Sequence, residues 1–96
     1  MKSYAIVFSP IIFDDVEKAV EYYEEKQTGL GKRFAMQLQL TLNTIKQNPF
    51  FATVRYADIR CAGIKKFPYR VHYHINEDEQ IVTILAVYST YKEPLW

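Results

Sequence analysis

Cysteine occurs once in this 96-residue sequence and glycine three times, and no stretch is apolar for long enough to span a bilayer. The single Cys61 excludes an internal disulfide. The opening MKSYAIVFSP lacks the uninterrupted apolar run of a signal peptide or membrane span, so a soluble protein in the reducing cytoplasm is expected, with no membrane partner. Net charge is equally scarce. Twelve Lys and Arg against eleven Asp and Glu leave +1, which gives no bulk attraction to nucleic acid. Repeats, low-complexity tracts and linkers rich in Gly, Ser or Pro are also missing. A chain this long has room for one domain, residues 1–96, which buries a core without staples but cannot house a separate cofactor domain.

The charge that is present is unevenly placed. Residues 14–25 hold six acidic side chains and one basic one, Lys18, whereas residues 55–70 hold Arg55, Arg60, Lys65, Lys66 and Arg70 against Asp58 alone. One part of the chain is acidic and the other cationic.

Periodicity orders the elements. SYAIVF, residues 3–8, alternates like a strand. Ser9-Pro10 then offers an N-cap and a proline at the first helical position, where the missing N–H costs nothing. In the helix that follows, Ile12, Val16, Ala19, Val20 and Tyr23 share one arc, and Glu17, Glu21, Glu24 and Glu25 lie on the other side. KQTGLG breaks it, with glycines for the reversal. A second helix presents Leu30, Phe34, Leu38, Leu42 and Ile45 inward and stops at QNPFF, because Asn48 before proline is disfavoured in the helical region. From Thr53 the period becomes two, predicting strands near 53–56, 59–66, 69–75 and 80–88, the last two joined by NEDE. The fold class is therefore α+β: a strand, a helical hairpin, then a three- to four-stranded antiparallel meander packed on the two helices, since neither layer can bury its apolar side alone.

Strict alternation puts Tyr69, Val71, Tyr73 and Ile75 on one face of the 69–75 strand and Arg70, His72 and His74 on the other. His72 and His74 stand roughly 7 Å apart along the strand, with no Asp, Glu or Cys forced beside them, so the expectation is a solvated pair next to Arg70 rather than a metal site. Cys61 has no His or Asn at a telling position and is expected to fill a strand position rather than act as a nucleophile. Arg70 has a structural alternative, an ion pair with Glu77 or Asp78 across the hairpin. Trp96 has one too, as a cap on the open end of the core.

The order of these pieces, with KKFPYRVHYHI and the closing ILAVYSTYKEPLW, resembles the RelE/ParE superfamily of type II toxin–antitoxin toxins over essentially the whole chain. The first run is similar to the family's basic-Phe-Pro-Tyr strand. The second is similar to its ending of an apolar strand, polar and basic residues, Pro and Trp. The resemblance implies a growth-inhibiting toxin of the plasmid-stabilisation kind, held in check by a cognate antitoxin, with no cofactor and no metal. It further implies that the last strand and tail lie beside the PYR strand and form a target-binding edge, with Lys65, Lys66, Arg70, Tyr91 and Lys92 as catalytic or target-binding residues and His72, His74 and Ser89 as auxiliaries. Members that cleave mRNA on the translating ribosome use cations at the scissile phosphate and a group that handles the protons. Where those members place an arginine and a catalytic Tyr or His, this tail offers Ser89, Thr90, Tyr91 and Lys92, with Ser89 at the usual histidine position. That departure favours the ParE-like branch, associated with poisoning DNA gyrase without catalysis. The mRNA endonuclease is the alternative, and a non-toxic binding module of the same fold is a third.

The helices also carry apolar residues off their core stripes. Relative to Phe34, Met36 lies at about 200° and Leu40 at about 240°, and Ile11 and Tyr22 are likewise off the arc of the first helix. Scattered surface apolar residues are ordinary. The resemblance gives Tyr22, Met36 and Leu40 a second reading, as the seat of an amphipathic antitoxin segment.

Overall fold

In the computed structural model, which describes residues 4–91, the chain runs β1 (Ala5–Phe8), α1 (Ile11–Lys26), α2 (Leu30–Gln47), a 3-10 turn (Pro49–Phe51), β2 (Val54–Tyr56), β3 (Ile59–Gly63), β4 (Tyr69–Asn76) and β5 (Ile81–Ser89). The five strands form one mixed sheet in the order β1-β5-β4-β3-β2. Strands β2 to β5 are the antiparallel meander, and β1 returns to lie parallel to β5, with Ala5 opposite Ile81 and Phe8 opposite Ile84. Its ends are tied by the Ala5 N–H to the Gln80 carbonyl at 3.0 Å and the Ser9 N–H to the Ile84 carbonyl at 2.9 Å.

Both helices cover one face of this sheet. Their inward residues, Ile12, Ala19 and Tyr23 on α1 and Phe34, Leu38 and Ile45 on α2, meet Val71, Tyr73, Val82, Ile84 and Val87 in one core. Its centre is aromatic: Phe34 stacks on Tyr23 at 5.4 Å and meets Phe67 and Tyr69 edge-on at 5.2 and 5.1 Å, arrangements worth about 0.5–1.5 kcal/mol per pair beyond burial. Tyr73 is fully buried and donates its hydroxyl to the Pro49 carbonyl at 2.6 Å, tying the 3-10 turn to the sheet. Arg60 reaches the same segment, donating to the Ala52 carbonyl at 2.6 Å with its guanidinium over the Phe50 ring.

Three local features differ from the sequence reading. Pro10, not Ser9, is the N-cap of α1; no side chain caps it, and the Ser9 carbonyl accepts the Ile12 N–H at 3.1 Å. Strand β3 ends at Gly63 because the chain turns through Lys65 and Lys66, the latter left-handed at φ 70°. Strand β5 does not alternate along its whole length. His72 pairs with Ala86 but Tyr73 with Ile84, so Leu85 is an extra residue, and the core-facing positions change from Val82 and Ile84 to Val87.

Between the helices, Gly29 holds φ 89°, a conformation that disfavours any side chain with a Cβ. Gly31 serves a different need: a Cβ there would lie 2.6 Å from the Val20 carbonyl oxygen, so glycine sets how closely the helices approach.

Candidate functional site

The end of the sheet where β3 turns into β4 and β5 finishes gathers most of the residues singled out above. Tyr69 lies opposite Ser89, and Arg70 lies between Tyr88 and Gly63. The Thr90 N–H donates to the Pro68 carbonyl at 2.7 Å, which holds the strand end against the turn carrying exposed Lys65 and Lys66. The Ser89 hydroxyl accepts the Tyr91 N–H at 3.2 Å, and the Tyr91 side chain is 87% exposed. Lys65, Lys66, Arg70, Ser89 and Tyr91 thus share one end of the sheet; Lys92 and Trp96 lie outside the described residues. Glu77 and Asp78 are in the turn beyond Asn76, at the far end of β4 from Arg70, so the ion pair considered from the sequence is not the partner the register gives this arginine.

His72 departs furthest from expectation. It shares the helix-distal face with Arg70 and His74, as alternation predicts, yet it is 0% exposed whereas His74 is exposed. Its Nδ1 lies 3.0 Å from the Tyr56 hydroxyl and 3.5 Å from Cys61 Sγ, and the Tyr88 ring meets the imidazole edge-on at 4.9 Å. Tyr56 from β2, Cys61 from β3, His72 from β4 and Tyr88 from β5 therefore form a small second core on the face without helices. A strand pattern shows which side a residue points to. It does not show that two tyrosine rings and a thiol from three other strands close over it. Among the described residues no group of three or more His, Cys, Asp or Glu is placed to hold a metal ion.

A cleft of about 440 Å³ opens beside this end of the sheet, between α1 and the ends of β4 and β5. Five of the eight tyrosines line it: Tyr22 and Tyr23 from α1, Tyr69 from β4, and Tyr88 and Tyr91 from β5 and beyond. Asp15, Lys18 and Ser89 supply the polar groups. Burial, reinforced by neighbouring phenols, pushes the Tyr23 and Tyr69 hydroxyls above the ordinary tyrosine pKa, so both stay protonated. The sequence reading missed this cleft; its signal was the density of tyrosine in EYYEEK, FPYR and VYSTY.

The helical hairpin presents two further apolar surfaces. Met36 and Leu40 are 55% and 51% exposed on the solvent side of α2. A groove of about 400 Å³ between β1, α1 and α2 is lined by Phe8, Ile12, Phe13, Val16, Leu38 and Leu42. Tyr22 belongs to neither, since it lines the tyrosine cleft on the sheet side of α1.

Residues 6–93 match the model of the ParE toxin of the type II toxin–antitoxin system parDE. The chain belongs to this family. The ParE-family chain also superposes on solved toxin–antitoxin proteins. A chain of the chromosomal ParDE system from P. aeruginosa matches with TM-score 0.75 at 9% identity, covering 88% of this chain and 94% of that one. The intact RelBE complex from E. coli matches with TM-score 0.69 at 18% identity, again covering 88% and 94%. The RelBE2 complex from M. tuberculosis matches with TM-score 0.65 at 21% identity, covering 93% of each chain. At these identities the likeness is one of fold. A search of curated proteins gave no match. No helix among the described residues of this ParE-family toxin is long and apolar enough to cross a membrane.

Proposed function

We propose that this ParE-family toxin inhibits growth by binding an essential macromolecular target, with DNA gyrase the first candidate, through the cationic end of its sheet, and that it does so without acid–base catalysis. The observation that carries the reading is the burial of His72. The imidazole nearest Arg70 is sealed from solvent, with Nδ1 engaged by Tyr56 and Cys61. His74, exposed, stands about 13 Å from Arg70 along the strand, beyond reach of a phosphate held by that arginine. What remains at the sheet end, Lys65, Lys66, Arg70 and the exposed Tyr91, suits binding by charge and an aromatic anchor. The same grouping supports a second reading, ribosome-dependent mRNA cleavage, since cations beside an exposed phenol are also what phosphate chemistry uses.

A cognate antitoxin is the proposed neutralising partner. Its amphipathic segment would cover Met36 and Leu40 on α2 and fill the groove at Phe8 and Phe13, where Phe13 is 64% exposed. An antitoxin segment that orders only on contact would release the toxin when degraded.

Two assays separate the targets. Supercoiling by purified gyrase should fall when the toxin is added. Primer extension on cellular mRNA after induction should show no new ends within translated codons. Codon-positioned cleavage with unimpaired gyrase would replace the first reading with the second.

A further inference from the structure

The tyrosine cleft lies beside the cationic end of the sheet and shares Ser89 and Tyr91 with it, but its lining differs in chemistry from the cations and from the apolar surfaces of the hairpin. Its volume of about 440 Å³ falls in the lower part of the range of small-ligand sites, about 300–1,000 Å³. It is lined by Tyr22 and Tyr23 of α1, Tyr69 of β4 and Tyr91 beyond β5, with Ser89, Asp15 and, one turn along α1, Lys18 as polar residues. We infer that this cleft receives an arginine side chain presented by a protein partner.

Three observations carry the inference. Tyrosine faces attract cations, and a guanidinium, being planar and weakly hydrated, stacks on them while its edge donates hydrogen bonds. Tyr22 already holds a cation within this chain, since the Lys26 ammonium lies 4.8 Å from its ring centroid. A guanidinium offers five donors and no acceptor, and the residues lining the cleft include acceptors, Asp15 first, then Ser89 and the tyrosines. Asp15 is the one carboxylate among the residues lining the cleft, since Glu17 lines the groove at Phe8 and Phe13 and Glu24 is engaged at Gly29 and Gly31, and this carboxylate disfavours an anionic occupant such as a nucleotide phosphate. Lys18 lies one helical turn from Asp15 and offsets part of its charge, so one cation, rather than a strongly basic segment, matches the site.

The inference concerns the cleft alone and does not depend on which cellular target the toxin has. Its test is an NMR titration of the full chain, with tyrosine rings ¹³C-labelled, against N-acetyl-argininamide and, separately, uridine 5′-monophosphate. The expected result is a saturable shift of the Tyr22 and Tyr91 ring signals with the arginine compound. Affinity should fall at least fivefold in Asp15→Asn and in Tyr22→Leu, whose side chains are not in the core. Glu77→Gln removes the same charge at the far end of the β4–β5 hairpin and should leave the affinity unchanged. The inference is overturned if no cleft signal shifts saturably, if the nucleotide moves these signals and the arginine compound does not, or if Glu77→Gln weakens binding as much as Asp15→Asn.

Discussion

Glu24, near the end of α1, caps the start of α2 at Gly31: its carboxylate accepts the Gly31 N–H at 3.1 Å and, through the other oxygen, the Gly29 N–H at 2.9 Å. The first N–H groups of a helix have no partner within it, and the macrodipole favours negative charge there. One side chain thus closes the helical hairpin on which the sheet packs. Glu24→Ala is expected to lower stability by about 1 kcal/mol, the usual cost of losing an N-terminal cap, and Glu24→Gln by less. Urea denaturation followed by circular dichroism measures both.

Gly31→Ala should do more harm than its helix propensity suggests. Alanine favours helix by about 1 kcal/mol over glycine, but its Cβ would sit 2.6 Å from the Val20 carbonyl oxygen, a backbone atom that cannot swing away. The helices must separate, and we expect a net loss of about 1–3 kcal/mol, as for other overpacked contacts. A gain in stability in the same denaturation experiment would show that the hairpin can open at little cost.

Tyr73 gives the fold a defined alkaline limit. Burial is the main cause that pushes its pKa up from 10.0 to about 12. The folded state therefore holds this proton more tightly than the unfolded chain. The associated stability is complete below about pH 10 and is lost as pH rises toward 12, a change on the order of 2 kcal/mol. Tyr23 and Tyr69, also raised, act in the same direction. Tyr73→Phe removes the hydrogen bond to Pro49, costing about 1 kcal/mol at neutral pH, and its stability should fall less steeply than wild type between pH 9.5 and 11.5.

Met36→Asp combined with Leu40→Asp tests the proposed antitoxin surface. Both residues are more than half exposed, so the variant should fold, with unchanged circular dichroism. Calorimetric titration against the product of the neighbouring reading frame should show binding weakened by about 2–4 kcal/mol, as when buried interface anchors are removed. Unchanged affinity would place the antitoxin in the Phe8–Phe13 groove alone.

Arg70→Glu should abolish growth inhibition on induction, because it reverses charge at the centre of the cationic sheet end, between Tyr88 and Gly63. Tyr91→Ala should weaken it several-fold without abolishing it, as expected of an exposed anchor. Loss of all toxicity in Tyr91→Ala, together with loss of mRNA cleavage, would assign this phenol a catalytic role.

The sequence alone determined the parts that rest on local periodicity and turn chemistry. The stripe Phe34, Leu38 and Ile45, the reversal at Gly29, and strands of alternating faces are legible because each is set within a few residues of the chain. The order of motifs likewise carried the family. Other features required the tertiary structure. The parallel return of β1 beside β5 joins residues more than seventy positions apart. The bulge at Leu85 shifts which residues of β5 face the core, a change no two-residue period can show. His72 is read from the sequence as a solvated strand residue and is found buried, because Tyr56, Cys61 and Tyr88 arrive from three other strands. Glu24 is read as one of several exposed acids and is found capping another helix. For β1 and His72 the deciding contacts join segments far apart along the chain. For Glu24, five and seven residues from Gly29 and Gly31, it is the angle at which the hairpin closes that brings the carboxylate to the helix start, so packing of the sheet and hairpin selects these contacts.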